Sequence, residues 1–342
     1  MIEQPKNLLL LGAGRRITLA ELFINRGWNV FAYESSLEVP ISEVAEVIVG
    51  KKWNDPEIIE DLRKIIVDKD ISLVIPLMDG ATMTAAILKE VSNWPFIVAA
   101  PKQITELCYD KRMFGWYMRN NFSFLYPEDN GTYPKFIKPV KGFGSHGCKE
   151  IFNKEMEDVF YRNSDCIDEY VIQKQLIGQE FTVDAFFLNG VYVNSLPRKR
   201  LRVADGEVIS SETTYRPDLD QLTKLIGERL KLEGPVCMQF IDDIPSNRTY
   251  IIEINCRFGG GSILSMAAGL DLIGMVEKFY TGDRTGSAEI TELNYNLKTE
   301  RYFQETFWDT SLDWVRKVTP RVYPNFRPEP SRIPNFNLLE GF

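Results

Sequence analysis

The residues best suited to chemistry lie on one predicted β-hairpin. The stretch VCMQFIDDIPSNRTYIIEIN (236–255) alternates on both sides of a turn, which predicts two antiparallel strands. Glu253 and Asn255 share one strand face, and Gln239 lies opposite Glu253 across the hairpin. Their oxygens suit a hard cation such as Mg²⁺, although a solvated outer face would give the same alternation. Arg257 and three glycines follow (CRFGGGS), and this combination favours a polyphosphate site.

A glycine-rich segment, KPVKGFGSHG (138–147), contains three glycines and the only histidine of the chain, His146. Because glycine costs backbone order, the segment is either a tight turn or a loop that closes over phosphates. Lys138 ends an apolar strand, a position where a lysine needs an anion to meet. Lys111 lies near the start of a helix. A single lysine is more often solvated, but these lysines together with the loop and the hairpin favour the polyphosphate site.

A second glycine cluster, LGAGRRI (11–17), follows a predicted strand and opens a helix. It has two glycines of the dinucleotide-binding fingerprint, but Ile17 stands at the third glycine position, and Glu34 is the one candidate for the acidic residue. A tight strand–helix turn is therefore the favoured interpretation. The alternative is anion binding helped by Arg15 and Arg16, with a substrate carboxylate as the anion before a dinucleotide.

The predicted secondary structure that positions these residues is of two kinds, one with alternating strands and helices and one with antiparallel strands. Residues 7–100 alternate strands and helices, which predicts a parallel sheet with helices on its faces. Residues 101–121 are predicted to be helical. Beyond them, antiparallel strands are predicted, with a hairpin turn at the NG pair 189–190, a helix over 217–234 and the 236–255 hairpin. Within that hairpin, Ile252 and Ile254 are expected on the apolar face. The Pro-rich segment 318–334 is expected to wrap the surface.

Composition excludes several function classes. The chain has 342 residues and a formal net charge of −8, so bulk affinity for nucleic acid is not expected. No apolar run reaches the ~18 residues of a membrane span, and the N-terminal stretch reads as a buried strand rather than a signal peptide. Five cysteines without a C-x-x-C pair and one histidine argue against zinc and against a Ser-His-Asp or Cys-His centre. The scattered cysteines suit a reducing cytoplasm.

The quoted motifs, in this order, resemble the ATP-grasp superfamily over residues 104–290. The segments that carry the resemblance are YDK (ending at Lys111), KPVKGFGSHG, IQKQLIGQEFTVD (172–184) and QF…IIEINCRFGGG (239–261). GQEFTVD is similar to D-alanine–D-alanine ligases, and QF…YIIEINCR to carbamoyl-phosphate synthase large subunits. GAGRR and VIPLMDGA are similar to the front domain of stand-alone proteins of the synthase-like branch.

The resemblance implies a mixed α/β and α+β organisation. A Rossmann-like (pre-ATP-grasp) parallel-sheet domain would span residues 1–103, and an ATP-grasp domain 104–290, with a glycine-rich lid subdomain at about 120–175. Residues 291–342 would form a C-terminal extension that packs on the core. ATP and Mg²⁺, as one or two ions with Mn²⁺ as a substitute, are the implied cofactors. Because relatives commonly dimerise, a homodimer is an expectation.

Residue roles follow from the same resemblance. The residues expected at the phosphates are Lys111, Lys138, Gly142, Gly144, Ser145, His146 and Gly147. Backbone groups of Gln173, Lys174 and Leu176 would read adenine, and Glu180 would hold the ribose. The implied metal ligands are Gln239, Glu253 and Asn255, while Arg257 would meet the transferring phosphoryl group. Two departures stand out: Gln173 replaces a common Glu, and Gln239 replaces a common acid, which weakens the hold on one metal ion. Asp242 is an alternative ligand, although it lies three residues after Gln239 and strand alternation therefore puts it on the other face.

The implied activity is an ATP-dependent ligation of a carboxylate to an amine. The carboxylate would attack the γ-phosphate, and the amine would then displace phosphate from the acylphosphate. The segment PRKRLRVADGEV (197–208) carries arginines at alternate positions. They form either a solvated basic edge strand or a clamp on the acylphosphate or a second carboxylate, for which Arg198 and Arg200 are favoured over Arg202. Asp79 is a candidate for orienting the amine.

Three other functions stay open at this point. A carboxylase or carbamoyl-phosphate-type kinase acting on bicarbonate would use the same scaffold. A non-catalytic ATP-binding module would not need Lys138, Glu253, Asn255 and Arg257 all to be present. A dinucleotide-dependent oxidoreductase would rest on the incomplete glycine fingerprint alone.

Overall fold

The computed structural model describes residues 6–142, 144, 146–164, 166–204, 206–281, 292–302, 304–306, 308–309 and 316–317. Met1–Tyr302 forms one compact unit, and Phe303–Phe342 forms a second. Most of the predicted C-terminal extension, including the Pro-rich segment 318–334, lies outside the described residues.

The first sheet is parallel, as the alternating pattern predicts. Its strands are β1 (Asn7–Leu11), β2 (Asn29–Glu34), β3 (Glu46–Val49) and β4 (Leu73–Pro76), in the order β3-β2-β1-β4. All five residues of β1 are buried because the sheet is covered on both faces. Leu8 and Leu10 pack in one core cluster, and Leu9 and Leu11 pack in another.

Helices follow the strands of this sheet. They are α1 (Ile17–Ile24), α2 (Ile58–Asp68), α3 (Asp79–Ser92), α4 (Lys102–Tyr109) and α5 (Lys111–Asn121). The continuous helix predicted over 101–121 is wrong at one residue, because the chain leaves the helical conformation at Asp110. The Asp110 carboxylate accepts hydrogen bonds from the backbone amides of Arg112 and Met113 and caps α5. The break places Lys111 at the first position of a helix.

A small antiparallel sheet follows within the segment predicted as the lid. It contains β5 (Lys135–Pro139), β6 (Lys149–Ile151) and β7 (Tyr170–Lys174) in the order β6-β5-β7, with α6 (Lys154–Asn163) against it. Its core is limited to a few apolar side chains, of which Ile137, Ile151 and Phe160 are the most buried.

The largest sheet is antiparallel and carries the candidate site. Its strands are β8 (Gly178–Leu188), β9 (Val191–Ala204), β10 (Glu207–Thr213), β11 (Gly234–Asp243), β12 (Arg248–Asn255) and β13 (Lys298–Glu300), in the order β12-β11-β8-β9-β10-β13. Asn189 and Gly190 turn the chain between β8 and β9 with positive φ, as the NG pair predicts. Because β9 is an interior strand, the interpretation of its arginines as a basic edge strand is wrong.

Alternate residues of β8 face two different cores. Phe181, Val183 and Phe187 pack in a core of their own sheet, whereas Phe186 packs in the core cluster that also contains Leu8 of the first sheet. This shared core explains why the parallel and antiparallel parts form one compact unit.

The remaining elements pack around these sheets or lie in the second unit. They are the helices α7 (Pro217–Leu230), α8 (Ser262–Ala267) and α9 (Leu272–Tyr280), the 3₁₀ turns Pro40–Glu43, Ser123–Leu125 and Ile167–Glu169, and, in the second unit, the paired strands β14 (Trp308–Asp309) and β15 (Arg316–Lys317). No helix among the described residues has the length and hydropathy to cross a membrane.

Candidate active site

The hairpin of β11 and β12 brings the three predicted metal ligands together. Gln239 and Glu253 are direct partners in the pairing register. Glu253 Oε1 accepts hydrogen bonds from Gln239 Nε2 at 2.8 Å and from Asn255 Nδ2 at 2.9 Å. The other carboxylate oxygen of Glu253 makes no hydrogen bond within the described chain, so it is the oxygen available to a ligand.

A β-bulge alters one detail of this hairpin. The register passes from Gln239–Glu253 to Phe240–Ile251, which leaves Ile252 as an extra residue. Ile252 was expected on the apolar face with Ile254, but it is only partly buried, and Ile251 takes its place in the core. The bulge leaves the Ile252 carbonyl outside the ladder, where it accepts a hydrogen bond from Lys138 Nζ at 3.3 Å.

Lys138 lies at the centre of the site without a carboxylate partner. Its exposed fraction is 5%, and no carboxylate of the described chain lies within ion-pair distance of its ammonium group. Burial, and to a smaller degree the positive charge of Lys111, lowers the pKa of Lys138 to about 8, although the charge of Glu253 acts in the opposite direction. A buried lysine in this state has a strong electrostatic preference for an anion.

Lys111, the first residue of α5, lies near Lys138. The Lys111 backbone amide donates to the Val140 carbonyl at 3.0 Å, and its Nζ donates to the Gly142 carbonyl at 2.9 Å. Lys111, Gly142, Glu253 and Asn255 are among the residues that line a cavity of about 30 Å³. The structure therefore brings one lysine and one glycine of the phosphate set to the metal ligands.

The glycine loop approaches the turn between β9 and β10. Gly142, Gly144 and Gly147 all have positive φ. Gly144 is in van der Waals contact with Gly206, where a Cβ would come within 2.3 Å of the Gly144 Cα. His146 and Gly147 are exposed, and Ser145 lies outside the described residues.

The segment predicted to read adenine, residues 173–176, is called the hinge here. It is bound to the end of β11. Asp243, which has a fully buried side chain, accepts hydrogen bonds from Lys174 Nζ at 2.8 Å and from the Ile177 amide at 3.0 Å. Burial raises the pKa of Asp243, but these bonds outweigh that effect and lower it. Gln173 is 4% exposed, and its Nε2 has no hydrogen-bond partner among the described residues. Leu176 is half-buried beside them.

Two arginines of the predicted clamp have different surroundings. Arg198 is 1% exposed, and its Nε donates to Asp184 Oδ2 at 2.8 Å. Arg200 Nε lies 2.9 Å from Glu180 Oε2, so the residue expected at the ribose is held by an arginine. Arg202, by contrast, is exposed and pairs with Glu300.

Arg257 joins the hairpin to the parallel sheet. Its Nε donates to Asp79 Oδ1 at 2.7 Å, and its Nη2 donates to Asn255 Oδ1 at 3.3 Å. Asp79 is the first residue of α3 and follows β4. Burial lowers the pKa of Arg257, but the carboxylate of Asp79 more than offsets this and raises it. The partner that the structure shows for Asp79 is therefore Arg257.

The donor set fits Mg²⁺ with oxygens from a bound phosphate. It consists of one carboxylate and two side-chain amides, and no cluster of three His, Cys, Asp or Glu residues with metal-site spacing occurs in the described part of the chain. Mg²⁺ is commonly held by one or two carboxylates together with substrate phosphates and water. Asp242 is not a member of the set, because its carboxylate is bound to Arg216 Nη1 at 2.6 Å and to Thr249 Oγ1 at 2.7 Å.

The loop GAGRR forms a tight turn. Gly14 donates its amide to Glu34 Oε1 at 2.8 Å, so the one acid that could have held a dinucleotide ribose binds the backbone of the loop itself. This contact removes the main support for the oxidoreductase hypothesis.

Comparison with known proteins agrees with this geometry. Residues 167–302 match a family model described as ATP-grasp in the biosynthetic pathway with Ter operon. L-amino acid ligase from Bacillus licheniformis superposes with a TM-score of 0.65 at 17% identity, over 84% of this chain and 78% of that one. The chain is therefore similar to the ATP-grasp family over residues 167–302, and it shares its fold with this solved structure. The predicted fold class is thus confirmed, and the predicted ATP-grasp resemblance is confirmed over the matched segment, while the narrower likeness to the synthase-like branch stays a prediction.

Two further structures with a similar fold were solved with nucleotide. N5-carboxyaminoimidazole synthetase from Staphylococcus aureus, in complex with ADP, has a TM-score of 0.63 at 16% identity and covers 82% of this chain and 79% of its own. The biotin carboxylase domain dimer of 2-oxoglutarate carboxylase from Hydrogenobacter thermophilus, with MgADP, ADP and bicarbonate, has a TM-score of 0.64 at 14% identity, over 85% and 73%. Because the sequence identities are this low, the structural similarity shows only that the chains share a fold. No curated protein matches the sequence significantly.

Sequence reasoning missed residues that hold the site in place. Asp184 and Asp243 are buried in strands β8 and β11, and each binds a cation that was predicted to be functional. A buried-strand aspartate is uncommon, and that signal alone could have indicated a partner.

Proposed function

We propose that this ATP-grasp protein is an ATP-dependent carboxylate–amine ligase that forms an acylphosphate and releases ADP and phosphate. The observation that carries the proposal is the meeting of Lys138, a buried ammonium without a carboxylate partner, with the Gln239–Glu253–Asn255 face of the hairpin. An isolated buried cation is costly, and a polyphosphate with its metal would compensate both groups.

In this proposal the chain binds and orients ATP. Lys138 and Lys111 contact its phosphates, and the backbone amides of Gly142, Gly144 and Gly147 would add donors for the anion. Gln173, Lys174 and Leu176 lie along the adenine, and Asp243 holds this hinge against β11. Glu180 reaches the ribose, with Arg200 fixing the carboxylate.

Glu253, Asn255 and Gln239 would hold Mg²⁺, with Mn²⁺ as a substitute. The bound metal neutralises phosphate charge as the phosphoryl group is transferred. The chain would supply one carboxylate and two side-chain amide oxygens to this site, and the remaining ligands would come from the nucleotide and water.

Arg257 is the residue expected at the transferring phosphoryl group. Its Nε is occupied by Asp79 and its Nη2 by Asn255, so the plane of the guanidinium is fixed before substrate arrives. A fixed cation stabilises the charge that develops on the transferring phosphoryl group without reorganisation.

The direct test is ADP release from Mg-ATP with a panel of acids and amines. We expect release that depends on both an acid and an amine, and none from ATP alone. If no combination releases ADP while ATP binds tightly, the protein is a binding module. If bicarbonate alone as the acid supports release, the carboxylase or kinase alternative is correct.

Two matched variants test the metal ligands. Glu253→Gln removes the sole carboxylate of the donor set, and we expect loss of turnover with an unchanged melting temperature. Asp242→Asn changes an acid of the same hairpin that is already bound to Arg216, and we expect turnover to be retained. Full activity of Glu253→Gln would refute the metal assignment.

A further inference from the structure

Four arginines surround the glycine run Gly259–Gly261, and we call them the arginine cluster: Arg16, Arg198, Arg257 and Arg301. They come from four separate parts of the chain, namely the loop after β1, strand β9, the end of β12 and the segment after β13. The glycines make this approach possible, because a Cβ on Gly260 would come within 2.8 Å of Arg16 Nη1, and a Cβ on Gly261 within 2.6 Å of Arg198 Nη1.

The carboxylates near the arginine cluster do not balance its charge. Asp79 pairs with Arg257, Asp184 pairs with Arg198, and Glu207 is shared between Arg301 and the exposed Arg15. Arg16 has no carboxylate within ion-pair distance among the described residues. Among the described residues, five arginines therefore face three acids, and the charge of Glu253 also acts on Arg257, which leaves an excess of at least one positive charge.

Two guanidinium groups of the arginine cluster, those of Arg198 and Arg16, have nitrogens without an acidic or hydrogen-bond partner among the described residues, which indicates an anionic ligand. Arg198 Nη1 is fully buried without a hydrogen-bond acceptor among the described residues. Arg16 is half-buried, and burial and the nearby charge of Arg257 lower its pKa to about 10. Buried guanidinium groups are normally paired with anions, so the arrangement is incomplete without one.

We propose that the arginine cluster binds a second anionic group of the acid substrate, next to the reacting carboxylate. This inference rests on the proposed function, since Arg257 is expected to meet the phosphoryl group as it is transferred to the reacting carboxylate. It restricts the substrate class to acids with two anionic groups, either dicarboxylates or phosphorylated acids. The second group lies at Gly260, where Arg16 and Arg301 both contact the partly exposed backbone.

The test is calorimetric titration of small anions into the full-length protein saturated with Mg²⁺ and adenylyl imidodiphosphate, which occupies the phosphate site and is not turned over. The probes are inorganic phosphate, succinate and butyrate. We expect phosphate or succinate to bind and butyrate to bind at least tenfold more weakly. Tighter binding of phosphate indicates a phosphorylated acid, and tighter binding of succinate indicates a dicarboxylate.

Variants locate the bound anion. Arg16→Gln should weaken the favoured anion by about tenfold to a hundredfold, the value of a charge-assisted hydrogen bond. Arg16→Lys, which keeps the charge but loses the planar fork, should weaken it less. Arg15→Gln is the matched control, because Arg15 is 67% exposed at its side chain, and it should change affinity by less than about twofold.

Each outcome decides the proposal. Equal anion affinity in the original protein and in Arg16→Gln, equal binding of butyrate, or no anion binding overturns it. If Arg16→Gln does not fold, Arg301→Gln provides the same comparison. Failure of the imidodiphosphate itself to bind refutes the proposed function, whereas nucleotide binding without anion binding refutes only this inference.

Discussion

Lys138→Met should make the fold more stable while it removes ATP binding. Lys138 is 5% exposed, and its charge is opposed by burial and by Lys111. Methionine has a similar length and an unbranched, adaptable side chain, so it can fill the space without the charge. A residue that costs stability and is nevertheless present is expected at a binding site.

The magnitude follows from the pKa. A decrease from the ordinary 10.5 to about 8 corresponds to about 3 kcal/mol against the charged lysine in the folded protein, since one pH unit is ~1.4 kcal/mol. The substitution also removes the hydrogen bond to the Ile252 carbonyl, at a cost of about 1–2 kcal/mol. We therefore expect a net gain of about 1–2 kcal/mol in the free energy of unfolding, or ~2–4 °C in melting temperature.

The sign of the pH dependence is specific. Below pH 8 the lysine is charged in both the folded and the unfolded protein, so the full cost is present. Above pH 8 the folded protein loses this proton, while the unfolded protein keeps it up to about pH 10.5, so stability rises with pH in this window. The advantage of Lys138→Met in melting temperature should therefore shrink between pH 8 and pH 10.

Lys135→Met on the same strand is the matched control. The Lys135 side chain is 9% exposed, but its Nζ pairs with Glu157 at 2.9 Å and with Asp129 at 3.2 Å. The hydrogen bond from Lys135 Nζ to Glu157 raises the pKa of Lys135 despite burial. Its removal should destabilise the protein by about 2–3 kcal/mol, because Glu157 keeps a buried charge. If Lys138→Met lowers stability as Lys135→Met does, Lys138 is not an uncompensated charge and the reasoning is wrong.

Three further predictions concern the same site. Affinity for Mg-ATP, measured by calorimetry, should fall as pH rises above about 8, because Lys138 loses its charge there; constant affinity to pH 9.5 would contradict this. Asp79→Asn should lower turnover by about tenfold or more with little change in ATP affinity, because it frees Arg257 without touching the nucleotide hinge; an equal loss of ATP affinity would argue against that role. Asp243→Asn should weaken ATP by about tenfold, since the Lys174 and Ile177 contacts that hold the hinge depend on its carboxylate; unchanged affinity would separate this aspartate from nucleotide binding.

The order of elements and the shared face of Gln239, Glu253 and Asn255 were predictable from sequence because they depend on local periodicity. The alternation around Glu253 and Asn255, and the turn between β11 and β12, determine which side chains face each other in the hairpin, so Gln239 was correctly placed. The NG turn and the β-strand–helix alternation are local signals in the same sense.

The bulge at Ile252 and the break at Asp110 were not predicted, since each depends on a contact with a distant segment. Ile252 gives its carbonyl to Lys138, 114 residues earlier, and Lys111 donates its backbone amide to Val140. Asp110 could have been recognised as a helix cap from its residue type. Sequence periodicity could not predict the assembly of Arg16, Arg198 and Arg301 around one glycine run, because this assembly joins four distant parts of the chain.

Transfer of oxygen from the acid to phosphate tests the central claim most directly. The protein is given Mg-ATP, an amine and acids labelled with ¹⁸O in the carboxylate, and the released inorganic phosphate is analysed by mass spectrometry. The account predicts ADP together with phosphate that carries one ¹⁸O atom, because the carboxylate oxygen bonds to the γ-phosphorus and leaves with it. Release of AMP and pyrophosphate, or of ADP with unlabelled phosphate, would contradict it.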